Sequence, residues 1–344
     1  MFRLLTILLP LCALIPAHAF ARDAIHSVGS STVFPFVAAA AEQFGRRGAF
    51  RTPIVESTGT GGGLKMFCSG VGLNTPDMAN ASRQIKPSEV ADCKAHGVKQ
   101  IIELKLGYDG IVFVTSVKGE DFGFTRDVIF KALAREVPSK GALILNPYTQ
   151  WNEIDPSLPA IPIRVYGPPP TSGTRDAFVE LVMLEACKAI PAYASTYANE
   201  DERKQKCQQL REDGVYIEAG ENDNLLVQKL SNDDVAVAIL GYSFLEQNAS
   251  LVKPHSVDGV MPGFDAIVDG RYRVARSLFT YIKKDHEAKV PGLAAFAAEL
   301  TSDAAVGADG YLIMKGLLPL PKVEHESVKT IAREMQPMGE VQAH

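Results

Sequence analysis

An α/β fold with a largely parallel sheet is what this sequence predicts, and three observations predict it. Short apolar runs alternate with longer segments of helical periodicity along most of the chain. Loops of glycine, serine and threonine recur where a strand hands over to a helix. No internal repeat or low-complexity tract interrupts this alternation. The 344 residues, 46% apolar and 22% charged, suit a folded globular chain of roughly two domains and exclude wholesale disorder. A net charge of −5, from 35 basic and 40 acidic side chains, argues against gripping nucleic acid through overall charge.

Taken in order, residues 25–28 read as a strand, and residues 33–45 as a helix with Phe34, Val37, Ala38, Ala41 and Phe44 on one side. Residues 52–56 are a second strand and 63–69 a helix, followed by a weak strand at 77–81. Residues 87–95 have Pro87 at the start and acidic residues in the first turn, which favours a helix. Residues 98–104 and 110–117 read as two strands. Residues 161–166 are a strand, and 174–189 a helix of about four turns. Beyond them lie a helix at 224–230, a strand at 235–241, a long strand-like run at 271–282 and helices at 293–300 and 328–335.

The first residues do not belong to this pattern. Arg3 precedes a largely apolar run that holds Pro10, and Ala17, Ala19 and Ala21 supply small residues two apart. This is the layout of a cleaved secretory signal peptide over residues 1–21, too short for a membrane span of ~20 apolar residues. A lipid anchor on Cys12 is disfavoured because Pro10 and Leu11 before it are poor small-residue signals. The mature chain is therefore expected to be exported and soluble. Removing the leader leaves Cys68, Cys93, Cys187 and Cys207, an even number in an oxidising compartment. Local pairing, Cys68 with Cys93 and Cys187 with Cys207, keeps each loop within one stretch of chain and is preferred. Neither these cysteines nor the seven scattered histidines show metal-ligand spacing, so no metal is expected.

Three loops carry the chemistry: Gly29-Ser30-Ser31-Thr32, then residues 57–63 with Thr58, Gly59, Thr60 and Gly61, then Thr171-Ser172-Gly173-Thr174. Each puts hydroxyls and glycines where the amides at a helix start lack partners, which is an anion site. Any one loop is equally an ordinary helix cap. Three in one chain, with Arg83 after Ser82 and Arg175 after Thr174, favour a ligand, because a guanidinium fork matches a tetrahedral oxyanion. Competing motifs fail. Lys65 is not followed by Ser or Thr as a phosphate-binding nucleotide loop requires, and the dinucleotide glycine spacing is absent. No nucleophile elbow and no paired-histidine zinc motif occurs, so an enzyme is not indicated.

These residues resemble a family: the periplasmic phosphate-binding proteins of the phosphate ABC importer, the PstS type. The matching runs are residues 29–35, 59–65, 77–83, 171–176, 222–224 and 316–321, in family order across nearly the whole mature chain. The resemblance implies a type II periplasmic binding protein, two α/β lobes joined by hinge strands with the ligand cleft between them. Lobe one would comprise residues 22–112 and 275–344, and lobe two residues 113–274. It further implies an anion held by Ser31, Thr32, the backbone at Val33 or Phe34, Thr60, Ser82, Ser172, Gly173 and Thr174, with Arg83 and Arg175 supplying positive charge. The implied partners are inorganic phosphate and the permease subunits of an importer; no cofactor, no nucleic acid and a monomer are expected. Two departures bear on selectivity. Some family members carry an aspartate where Ser82 stands, and an arginine and aspartate before the Ser-Gly-Thr loop, where this chain has Pro168, Pro169 and Pro170. An aspartate accepts a hydrogen bond from protonated phosphate and repels fully ionised sulfate, so another oxyanion such as sulfate is the alternative ligand. An exported phosphatase is a third reading.

Overall fold

A computed structural model describes residues 23–339 except Thr171 and residues 220–222. The expected leader at residues 1–21, together with Thr171 and Asn222, lies outside the described residues.

The core of the molecule is a nine-stranded sheet. Its strands run in the order Ile54–Ser57, His26–Gly29, Met78–Ala81, Ala275–Lys283, Ile101–Ser116, Val237–Gly241, Val165–Gly167 and Tyr216–Glu218, with Val252–Pro254 also paired to Ile101–Ser116. Both wings are parallel, as the sequence predicts. The centre is not: Ala275–Lys283 runs antiparallel to both its neighbours, and Ile101–Ser116 is antiparallel to Val237–Gly241. The sheet is mixed because the chain traverses its middle twice, in opposite directions.

Ile101–Ser116 corrects the expectation of two strands. It is one strand of 16 residues, nearly all buried. The sequence looks interrupted at Lys105, Gly107 and Asp109, yet the two charged side chains face residues distant in the chain. Lys105 Nζ lies 2.8 Å from Glu324 and donates to the Tyr108 hydroxyl at 3.0 Å, and Asp109 is the registered neighbour of Arg276. Residues up to Gly110 pair with Ala275–Lys283, and from Ile111 onward the partner is Val237–Gly241. A bulge between Leu278 and Phe279 breaks the register, and such an extra residue bends a strand locally.

Helices cover the wings. Phe34–Arg46 starts with Pro35 in its first turn, where a missing amide costs nothing, and buries Phe36, Val37, Ala40, Ala41 and Phe44. Phe44 packs on Phe296 of the helix Leu293–Leu300 at 5.2 Å between ring centres. Thr60–Phe67 begins three residues earlier than expected, so Thr60, Gly61 and Gly62 form its first turn. From Gly173 to Lys188 the helix is continuous but contains a π-turn stretch over Val179–Leu184. Val165–Gly167 and Ala275–Lys283 are both shorter than the apolar runs that announce them, and Lys322–Glu334 begins earlier than its run. A hairpin of Glu136–Ser139 and Ala142–Leu145 lies outside the main sheet.

The disulfides join Cys68 to Cys93 and Cys187 to Cys207, the local pairing. The first fastens the end of Thr60–Phe67 to Pro87–Ala95, and the second fastens the end of the long helix to Glu200–Cys207.

Buried His255 sets an acid limit on stability. The Phe122 amide donates to its Nδ1 at 3.2 Å, so the proton sits on Nε2, 2.9 Å from the Thr115 hydroxyl. Burial, seconded by Lys253 and opposed by Asp121, lowers its pKa to about 4. An unfolded histidine titrates near 6.5, so the contribution is fully present above that pH and is lost as pH falls toward 4, amounting to up to about 3 kcal/mol. We expect the urea midpoint to fall over this window more steeply in the native chain than in His255→Gln. Equal slopes would contradict the assignment.

Candidate functional site

Three strand ends on one wing of the sheet, at Gly29, Ser57 and Ala81, release their chains side by side. Gly29 is required at the first: its φ is +132°, and a methyl there would lie 2.1 Å from the Asn80 carbonyl oxygen. The chain then turns through Ser30, Ser31 and Thr32 into Phe34–Arg46. Ser30 takes up the first amides of that helix, its carbonyl accepting from Phe34 at 3.0 Å and its hydroxyl from Val33 at 3.4 Å. Ser31 donates to the Asp176 carboxylate, 145 residues away.

The second loop turns at Gly59, whose φ is +73°. Gly63 then packs directly on Gly29, where a methyl would stand 2.4 Å from the Gly29 Cα. This close approach places Thr60 against the end of the third strand. Its hydroxyl accepts from the Ser82 amide at 3.2 Å and lies 3.1 Å from the Ser82 hydroxyl. Arg83 does not point freely into this space. It forms a two-pronged ion pair with Glu89, at 2.9 and 2.7 Å. Burial pushes the Glu89 carboxyl up, but the hydrogen bonds from Arg83 and the Lys86 amide more than offset it and leave its pKa below the usual carboxylate range.

The third loop arrives from the other wing. Ser172 caps its helix, its hydroxyl accepting from the Thr174 amide at 3.2 Å. Gly173 closes on the first loop: a methyl at Gly173 would lie 3.2 Å from the Thr32 Cα. Arg175 turns back into its own wing. It donates to the Pro168 carbonyl at 3.2 Å and lies 4.7 Å over the Tyr216 ring. Burial pushes the Tyr216 hydroxyl up to about 12, against the pull of Arg175.

The structure thus brings together Ser31, Thr32, Thr60, Ser82 and Gly173, from four segments. Beside them opens a cleft of about 860 Å³ lined by Gly59, Thr60, Gly61, Gly62, Ser82 and Arg83 from one wing and by Glu180, Leu181, Leu184 and Lys188 from the other. Arg83 reaches the rim while paired to Glu89, and Arg175 is not among the lining residues.

One lining residue escapes a reading of the loops. Arg276 lies within the strand Ala275–Lys283, its side chain 8% exposed, and donates to the Thr32 hydroxyl at 2.5 Å and to Glu180 at 2.5 Å. Its only local signal is a charged residue ahead of the apolar run from Leu278, since its partner Thr32 lies 244 residues away. Asp109 faces it across the strand pair, 3.8 Å from Nε. Burial pushes the Asp109 carboxyl up, while the charge of Arg276 pulls it down.

Among the described residues, the one cluster with metal-ligand geometry is Asp303, His325 and Glu326, none of which lines this cleft. Lys329 Nζ lies 2.9 Å from Asp303 and 3.2 Å from Glu326, so an ammonium already supplies the positive charge there. No helix among the described residues is long and apolar enough to cross a membrane.

Comparison with known proteins bears on the family and the fold. A protein-family model described as "PBP superfamily domain" matches residues 15–304. The chain is 32% identical to Protein SphX of Synechococcus elongatus over 269 residues, covering 76% of this chain and 69% of that protein. It is 27% identical to the phosphate-binding protein PstS of Staphylococcus saprophyticus over 302 residues, 86% of this chain and 80% of that one. A solved structure described as a possible phosphate binding protein from Planctomyces limnophilus superposes with a TM-score of 0.72 at 27% identity, covering 90% of this chain and 98% of that one.

Proposed function

The chain belongs to the PBP superfamily and has the type II periplasmic binding protein fold, and from that premise we propose that it is an exported receptor that captures inorganic phosphate and delivers it to an ABC importer. The observation that carries this reading is the meeting of Thr32, Thr60, Ser82 and Gly173, from four separate segments, at the edge of one cleft. Hydroxyls and amides in such a place supply many donors and little fixed charge, which suits a dehydrated oxyanion. Similarity to a phosphate-binding protein PstS favours phosphate among oxyanions.

We take the two wings as the two lobes, with limits at residues 22–112 plus 275–344 and 113–274. The change of partner along Ile101–Ser116 between Gly110 and Ile111 supports that division. Anion binding then stabilises a closed arrangement through contacts made to both lobes at once. Export through the leader, a monomeric state and a permease partner belong to the same reading. Binding is the whole task, with no turnover.

Calorimetric titration with phosphate, arsenate and sulfate at two pH values tests it. Phosphate and arsenate are expected to bind and sulfate to bind far more weakly, with an aryl phosphate left unhydrolysed with or without divalent metal. Preferred sulfate binding would make the chain a receptor for another oxyanion. Turnover that disappears on Ser82→Ala would make it a phosphatase.

A further inference from the structure

We propose that Arg276, on the central strand, is the cation that grips the bound anion, and that Glu180 competes with the anion for it. This rests on the phosphate-receptor reading above and names a charge that the loop residues do not supply. The two arginines that follow the loops are committed elsewhere: Arg83 to Glu89 through both prongs, and Arg175 to the Pro168 carbonyl and the Tyr216 ring. Arg276 alone among the three is bonded to a hydroxyl of the converging segments, Thr32 at 2.5 Å.

Its surroundings fit a ligand contact better than a purely structural ion pair. The side chain is more than nine-tenths buried and lines the cleft, and among the described residues its Nε has no hydrogen-bond partner, nor does the Oδ2 of Asp109, 3.8 Å away. A buried guanidinium ordinarily fills all of its donors, so an unmade bond marks a place where another acceptor belongs. The Nη1 edge is held by Glu180, whose side chain is 43% exposed and belongs to the π-turn stretch of the opposite wing. That carboxylate holds the guanidinium through one oxygen only, Oε2 on Nη1, and its exposure makes the pair weak enough to exchange. An anion drawn between Thr32, Thr60 and Ser82 would replace it on Arg276. Glu180 would then be released to water at the cleft wall.

The test is calorimetric titration of the mature protein with inorganic phosphate in the native chain, Arg276→Gln, Arg276→Lys and Glu180→Gln. Loss of a charged, two-pronged donor predicts about 100-fold weaker binding in Arg276→Gln, and about ten-fold in Arg276→Lys, which keeps the charge without the fork. Removing the competing charge predicts up to about five-fold tighter binding in Glu180→Gln. A merely structural pair would make both partners' variants weaker or neutral, so the opposite sign at Glu180 is the discriminating readout. It also decides the matter if Arg276→Gln fails to fold. Native-like affinity in Arg276→Gln, or weaker binding in Glu180→Gln, overturns the inference while leaving the receptor intact. A native chain that does not bind phosphate at all removes the receptor reading and this inference together.

Discussion

Phosphate affinity should drop at least 100-fold when Thr60 is replaced by valine and Ser82 by alanine in one chain. The two hydroxyls lie 3.1 Å apart, one from the first turn of Thr60–Phe67 and one just beyond Met78–Ala81. Both line the cleft. A hydrogen bond from a hydroxyl to a charged acceptor contributes about 1.5–3 kcal/mol net, so losing two costs about 3–6 kcal/mol of binding. The fold should survive. Valine matches the shape of threonine, and the two internal bonds sacrificed, from the Ser82 amide to Thr60 at 3.2 Å and between the two hydroxyls at 3.1 Å, are worth about 1 kcal/mol each. Titration of the double variant beside its thermal unfolding curve separates the two effects. Unchanged affinity would mean that the anion binds elsewhere.

The largest stability effect is expected at Gly29. Alanine there meets two obstacles at once: a backbone φ of +132°, which side-chain-bearing residues rarely adopt, and the Asn80 carbonyl oxygen 2.1 Å from the new methyl. Neither yields easily, because that carbonyl accepts from the Ser30 amide at 2.9 Å and Gly63 is packed against the other side. Strained backbone and overpacking each cost about 1–3 kcal/mol, so a loss of about 4 kcal/mol is expected. Urea unfolding should show a lower midpoint at an unchanged slope. A loss below about 1 kcal/mol would show that the strand ends are not locked together as described.

Much of this was legible in the residues. The loops announced themselves because glycine, serine and threonine at a strand-to-helix junction have a local physical meaning, and each lies where two regular elements meet in the structure. Pro87–Ala95 was readable to the residue from its proline start, and Leu293–Leu300 has the bounds expected of it. The cysteine pairs followed from chain proximity. What failed depended on distant partners. The strand Ile101–Ser116 looked like two because Lys105 and Asp109 find Glu324 and Arg276 only after folding. The loops also draw attention to Arg83 and Arg175 by adjacency, and the structure adds what adjacency does not give, their partners: Glu89 for one and the Tyr216 ring for the other. Arg276 had no motif around it at all. The antiparallel centre of the sheet was equally silent, since strand direction is set by the connections and not by the pattern of side chains.

Crystals grown with arsenate, examined by anomalous scattering at the arsenic edge, test the convergence of the loops most directly. One arsenic peak is expected, with its oxygens about 2.7–3.2 Å from the Thr60 and Ser82 hydroxyls and within reach of the Gly173 amide and Arg276. A peak remote from all four, for instance at the arginine-lined surface groove of Arg126, Arg271 and Arg273, would contradict it.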